Sequence, residues 1–93
     1  MARVRDEGYV LLLLKFSSWD NYSSGQPIEP STLLALAGPR IAQYNIDKDN
    51  IHAVLATMVK QGVIVACGPD DAHKITDQGR KWAEVNKGKF RED

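Results

Sequence analysis

The chain has 93 residues, twelve basic and twelve acidic, so its formal net charge is zero, and 43% of its residues are hydrophobic. That size supports one domain and excludes a second core, while balanced charge leaves open a locally basic face. The single cysteine, Cys67, excludes an internal disulfide framework and fits a reducing compartment.

Near the start, YVLLLLKF is too short to cross a bilayer, which takes roughly 20 apolar residues. It also lacks the small-residue cleavage site of a signal peptide. The expectation is a cytoplasmic protein with no membrane partner.

The first helix is expected from Asp6 to Ser18, with Tyr9, Leu12, Leu13, Phe16 and Trp19 on one core-facing arc. Leu11 falls on the opposite side with Glu7, Lys15 and Ser18, and Leu14 lies at the border. A helix apolar beyond one stripe is either deeply buried or covered by a partner. Leu11 and Leu14 are therefore candidates for a homodimer interface, or else are buried by the chain's own last helix. SSWDNYSSGQP is rich in turn formers and reads as a loop, followed by a short strand around Ile28.

Pro30 suits the first position of a helix, PSTLLALAG, which ends at Gly38 with Pro39 forbidding continuation. PRIAQYNI is either one helical turn or an irregular linker. The third helix is expected over 47–61. Asp47 serves as its N-cap, Asp49 lies in its first turn, and Ile51, Val54, Leu55 and Met58 form the buried stripe. Lys60 in the last turn and Gly62 beyond it mark its end. VIVA then reads as a strand, CGPDD as a turn and HKI as the returning strand. Thr76 caps a last helix, DQGRKWAEVNKG, in which Trp82 and Val85 are expected to face the core.

This order predicts an α+β domain over the whole chain, residues 1–93, with a core over about 6–86 and a frayed tail over 87–93. VKQGVIVACGPDDAHKITDQGRKW resembles the winged helix-turn-helix domain of MarR-like and PadR-like transcriptional regulators. Met58, Val59, Gly62, Val63 and Ile64 match the end of that family's recognition helix. Lys74, Ile75, Thr76, Gly79 and Arg80 match the start of its last helix. The resemblance implies a three-helix core, a small β-hairpin wing and a C-terminal helix. It also implies a dimeric DNA-binding regulator that reads the major groove with the third helix. It departs from the pattern between the second and third helices, where GPRIAQYNI replaces a tight turn.

On that reading Lys48, Asn50, His52, Ala53 and Lys60 are candidate DNA contacts on the third helix. Asn50 suits adenine, His52 a base or phosphate, and Ala53 a thymine methyl. Ser31, Thr32, Arg40 and Lys74 are candidate backbone contacts to double-stranded DNA. The alternative is a protein–protein interaction module, an adaptor or inhibitor, that binds no DNA. Its interface would hold Asp49, Ala56, Asp70 and Asp71 at the acidic helix start and wing, since acids repel phosphates. A further basic concentration comprises Lys74, Arg80, Lys81, Lys87, Lys89 and Arg91, with Arg3 and Arg5 at the other terminus.

His52, His73 and Cys67 lack zinc-ligand spacing, so no metal or other cofactor is expected. No phosphate loop, nucleophile elbow or paired carboxylates point to catalysis, and the chain is not expected to be an enzyme.

Overall fold

The structure, a computed structural model, describes residues 6–89. Arg3, Arg5 and Arg91 lie outside the described residues, and Lys89 is described in its backbone alone. The elements run α1 (Asp6–Ser23), α2 (Pro30–Ala37), a 3-10 turn (Pro39–Tyr44), α3 (Ile51–Lys60), β1 (Ile64–Ala66), β2 (His73–Ile75), α4 (Asp77–Asn86) and a final 3-10 turn (Lys87–Lys89). It is an α+β architecture of helices with a small two-stranded antiparallel hairpin. None of the described helices is long and apolar enough to cross a membrane.

α1 is the central element, packing on α2, α4, β2 and the first 3-10 turn. Val10, Leu11, Leu12, Leu13 and Phe16 are all buried, so the helix is covered on more than one face. Gly8 allows the approach of the 3-10 turn, because a methyl group there would stand 2.8 Å from Tyr44 Cβ. Leu11 is 1% exposed within the chain's own core, which removes it as an interface residue. Leu14 is half-buried and lines a groove with Ala83, Arg80, Glu84 and Lys87, so α4 faces it. Packing decided this, because the last helix covers the apolar side that the wheel left open.

α1 also runs past the expected end at Ser18, through the serines read as a loop, to Ser23. Serine is only mildly unfavourable in a helix, and no glycine or proline intervenes before Gly25. The helix is closed by left-handed Ser24 (φ 58°) and Gly25 (φ 90°). Trp19 Nε1 donates to Gln26 O at 3.1 Å, and Gln26 N to Ser23 Oγ at 3.2 Å, which ties the exit down.

After the turn, Ile28 exchanges backbone hydrogen bonds with His73, at 2.9 and 3.0 Å. β1 pairs antiparallel with β2 in the register Ile64↔Ile75, Val65↔Lys74 and Ala66↔His73. The spatial order is thus Ile28, β2, β1. Ile64, His73 and Ile75 face the core, while Val65 and Lys74 share the outer face.

α2 starts at Pro30 and ends at Gly38, as the proline and glycine dictate. PRIAQYNI takes the form of a 3-10 turn ending at left-handed Asn45. α3 buries Ile51, Val54, Leu55 and Met58, the expected stripe.

The hairpin and α4 are joined closely. Thr76 Oγ1 accepts from Gly79 N at 3.0 Å and donates to Gly62 O at 2.7 Å. One hydroxyl thereby caps α4 and anchors it to the left-handed turn that ends α3. A methyl group at Gly79 would lie 2.0 Å from Val63 O, so only glycine fits.

This contact sets the rotation of α4. Gly79 and Ala83 are its buried residues, while Trp82 is 38% and Val85 77% exposed. Both had been expected in the core. The close approach at Gly79 turns the small-residue face inward and leaves the larger apolar pair toward solvent.

Candidate recognition face

The outward face of α3 is built from the residues between its buried stripes. His52, Ala53, Ala56, Thr57, Val59 and Lys60 are exposed. Its centre is small and apolar, because Thr57 Oγ1 donates to Ala53 O at 3.1 Å and turns its hydroxyl back onto the helix. Val59, on the edge of the stripe, is 38% exposed and widens this apolar strip.

The approach to α3 differs from the expected cap. The helix begins at Ile51 with Asn50 as its N-cap residue, and no acidic residue lies in its first turn. Asp47 and Asp49 therefore stand before the helix rather than on it. Asp47 Oδ1 accepts from Asp49 N at 2.9 Å and from Asn50 N at 3.2 Å, capping the preceding turn. Asn50 Oδ1 accepts from Asp47 N at 2.8 Å, and Asn50 Nδ2 donates to Asn45 O at 2.5 Å. Asn50, at φ −119° and ψ 1°, breaks the helical path that would have joined this turn to α3.

The functional consequence falls on Asn50. Bidentate reading of adenine needs both ends of the amide. In this chain both ends already hold backbone groups, and the residue is half-buried.

The hairpin tip closes against the other side of the same region. Asp70 and Asp71 both hold left-handed backbone, at φ 60° and 61°, a conformation that aspartate tolerates better than most residues. Asp71 is held at two points: its Oδ2 contacts His52 Nδ1 at 2.5 Å, and its carbonyl accepts from His73 Nδ1 at 2.7 Å. The chain's two histidines thus converge on one residue. The His52–Asp71 pairing was not foreseen, since it joins side chains 19 residues apart across a turn. His73, by contrast, lies only two residues from Asp71, at hydrogen-bond reach of the same hairpin tip. His52 links α3 to the tip, so the acidic groups of the tip border the helix face.

The charge balance of this region is now visible. Asp47, Asp49, Asp70 and Asp71 are exposed at the helix approach and hairpin tip, as are Lys48 and Lys60. Lys60 lies at the far end of α3. Among the described residues, no group of three or more His, Cys, Asp or Glu is placed to hold a metal ion.

The remaining candidates are dispersed. Ser31 is exposed and Thr32 half-buried in the first turn of α2, and Arg40 is half-buried in the 3-10 turn. Lys74 projects from the outer face of the hairpin toward the loop after α1, where a methyl group at Gly25 would lie 3.6 Å from its Nζ. It does not share the α3 face. Arg80 pairs with Asp20 of α1, and Lys87 with Glu84 at 2.8 Å, so these members of the basic concentration serve intramolecular ion pairs. Sequence reading missed the Asp20–Arg80 pair because Asp20 had been placed in a loop. Comparisons of this chain with protein-family models, with curated proteins and with solved structures find no match.

Proposed function

We propose that this chain is a winged-helix recognition module that docks a protein partner on the outward face of α3 and the adjoining hairpin tip. Support for the winged-helix part comes from the order helix, Ile28 bridge, helix, helix, hairpin, helix. The anchoring of the last helix through Thr76 and Gly79 adds to it. Fold does not fix function, so the partner class rests on the face itself.

The observation that carries the docking reading is the engagement of Asn50, whose amide is spent on Asp47 and Asn45. That leaves an exposed strip of Ala53, Ala56 and Val59 with little to read a base. Small apolar side chains on an exposed helix suit the close approach of another protein surface. A module of this kind acts as an adaptor or inhibitor and needs no catalytic group.

A second reading, a DNA-binding transcriptional regulator, is favoured by one feature of the same face. Lys48 and Lys60 are exposed near opposite ends of α3, and Ala53 and Ala56 between them leave room for a groove wall. In that reading the homodimer would place two such helices about one DNA turn apart.

Titration with mixed-sequence duplex DNA at low and moderate salt separates the two. The docking reading expects weak binding at low salt and no shift of the α3 amides. Tight binding that falls steeply with salt and maps to Ala53 and Ala56 would overturn it.

A further inference from the structure

We infer that the partner docked on α3 is cationic at one end and apolar along its length, and that its cationic end lies over the hairpin tip. This rests on the docking reading and adds the partner's chemistry and its direction. The occupant is a Lys- or Arg-bearing amphipathic segment of another protein.

The face is polarised along the helix. At its N-terminal end stand Asp47 and Asp49, and the tip residues Asp70 and Asp71 are brought to the same end by the His52–Asp71 contact. At its C-terminal end stands Lys60. Between them runs the exposed strip of Ala53, Ala56 and Val59.

The strip gives contact area but no polarity, since Thr57 turns its hydroxyl inward. Charge therefore chooses the occupant and its orientation. Complementary potentials fix register and suppress wrong partners more than they add affinity. An acidic segment would meet like charge at the tip, and DNA would bring phosphates to the same carboxylates.

The direction also follows from what holds the acids in place. The Asp47 carboxylate is fixed by its bonds to the Asp49 and Asn50 amides, and the Asp71 carboxylate by His52, while His73 holds the Asp71 backbone carbonyl. These carboxylates need little ordering on binding, which lowers the entropic cost of a charged contact. Lys48 stands among them, exposed, and reduces the local charge without reversing it.

The test uses the full chain, labelled with nitrogen-15, and three synthetic 18-residue helical peptides sharing one leucine pattern. In the first, the polar positions of one half are lysine and those of the other half glutamine. In the second all are glutamine, and in the third the lysines become glutamates. The lysine peptide should shift the amides of Ile51–Lys60 and of residues 70–72, and should bind at least tenfold more tightly than the glutamine peptide at low salt. A spin label at its lysine end should broaden Asp49 and Asp70 before Lys60.

The double variant Asp49→Asn, Asp70→Asn keeps residue shape and tolerates the left-handed backbone at the tip. It should cut the lysine peptide's affinity about tenfold and leave the glutamine peptide unchanged, while Glu84→Gln on α4 should do neither. Equal binding of the lysine and glutamine peptides at α3 would overturn the cationic partner and leave the docking reading standing. Shifts from the lysine peptide confined to other elements, or absent, would overturn the inference. If duplex DNA alone shifted the α3 amides, the docking reading would fall with it.

Discussion

Asp47 and Asn50 cap each other: the Asp47 carboxylate accepts the Asn50 N–H at 3.2 Å while the Asn50 amide oxygen accepts the Asp47 N–H at 2.8 Å. The pair closes a turn immediately before α3 and sets where the helix begins. Asn50 adds a bond to Asn45 O, so removing its side chain breaks one bond to each of two backbone groups. Asn50→Ala should lower stability by about 1–2 kcal/mol, read from urea unfolding. Asp47→Ala should cost less than the two losses summed would predict once combined with it. Strictly additive losses in the double variant would show that the two residues act apart.

Gly79→Ala tests the close approach of α4 to the hairpin. The added methyl group would collide with Val63 O, a backbone atom that cannot swing aside. We expect a loss of about 3 kcal/mol or more, a drop of well over 10 °C in Tm for a domain of this size. A melting temperature within two or three degrees of the parent's, about half a kcal/mol, would mean that the helix can move off the hairpin freely.

Thr76 does two jobs with one hydroxyl, so Thr76→Val and Thr76→Ser should separate sharply. Valine keeps the shape but loses the Gly79 cap and the bond to Gly62 O. It should cost about 1–3 kcal/mol, whereas serine, which keeps both bonds, should cost under about 1 kcal/mol. A larger loss in Thr76→Ser than in Thr76→Val would argue that Thr76 acts through its methyl group and not its hydroxyl.

Leu11→Ala distinguishes burial within the chain from burial against a second copy. The structure puts Leu11 in the chain's own core at 1% exposure, so the cavity should cost about 2–5 kcal/mol. The loss should not vary with protein concentration. A concentration-dependent melting temperature in the parent that vanishes in the variant would restore Leu11 to an interface.

Asp20→Asn probes the ion pair that joins α1 to α4. The Asp20 side chain is 13% exposed and pairs with Arg80. A charge-assisted bond in this setting contributes about 1–2 kcal/mol after solvent screening, and the loss should shrink in high salt. No measurable change in thermal unfolding would reduce the pair to a surface contact.

Much of the fold was legible in the sequence because its signals are local. Pro30 and Gly38 bound α2, the apolar spacing from Ile51 to Met58 defines α3, Gly62 ends it and Thr76 caps α4. These positions act through their own backbone conformation or through neighbours a few residues away, which the sequence displays directly. The α+β class and the hairpin follow from them, while the pairing of Ile28 with His73 does not, because it joins distant parts of the chain.

What the tertiary structure decided depends on distant contacts. The Gly79–Val63 approach rotates α4 so that Ala83 is buried and Val85 exposed, an outcome no helical wheel contains. Leu11 is buried in the chain's own core, and α1 runs helical beyond the expected end at Ser18 to Ser23, where Asp20 pairs with Arg80 of α4. On the candidate face, the sequence displayed the acids and the small residues. It could not show that Asn50 is spent on Asn45 and Asp47, or that His52 gathers Asp71 against α3. Identity of side chains is written in the chain. Their availability is fixed only when the folded backbone decides which polar groups are already satisfied.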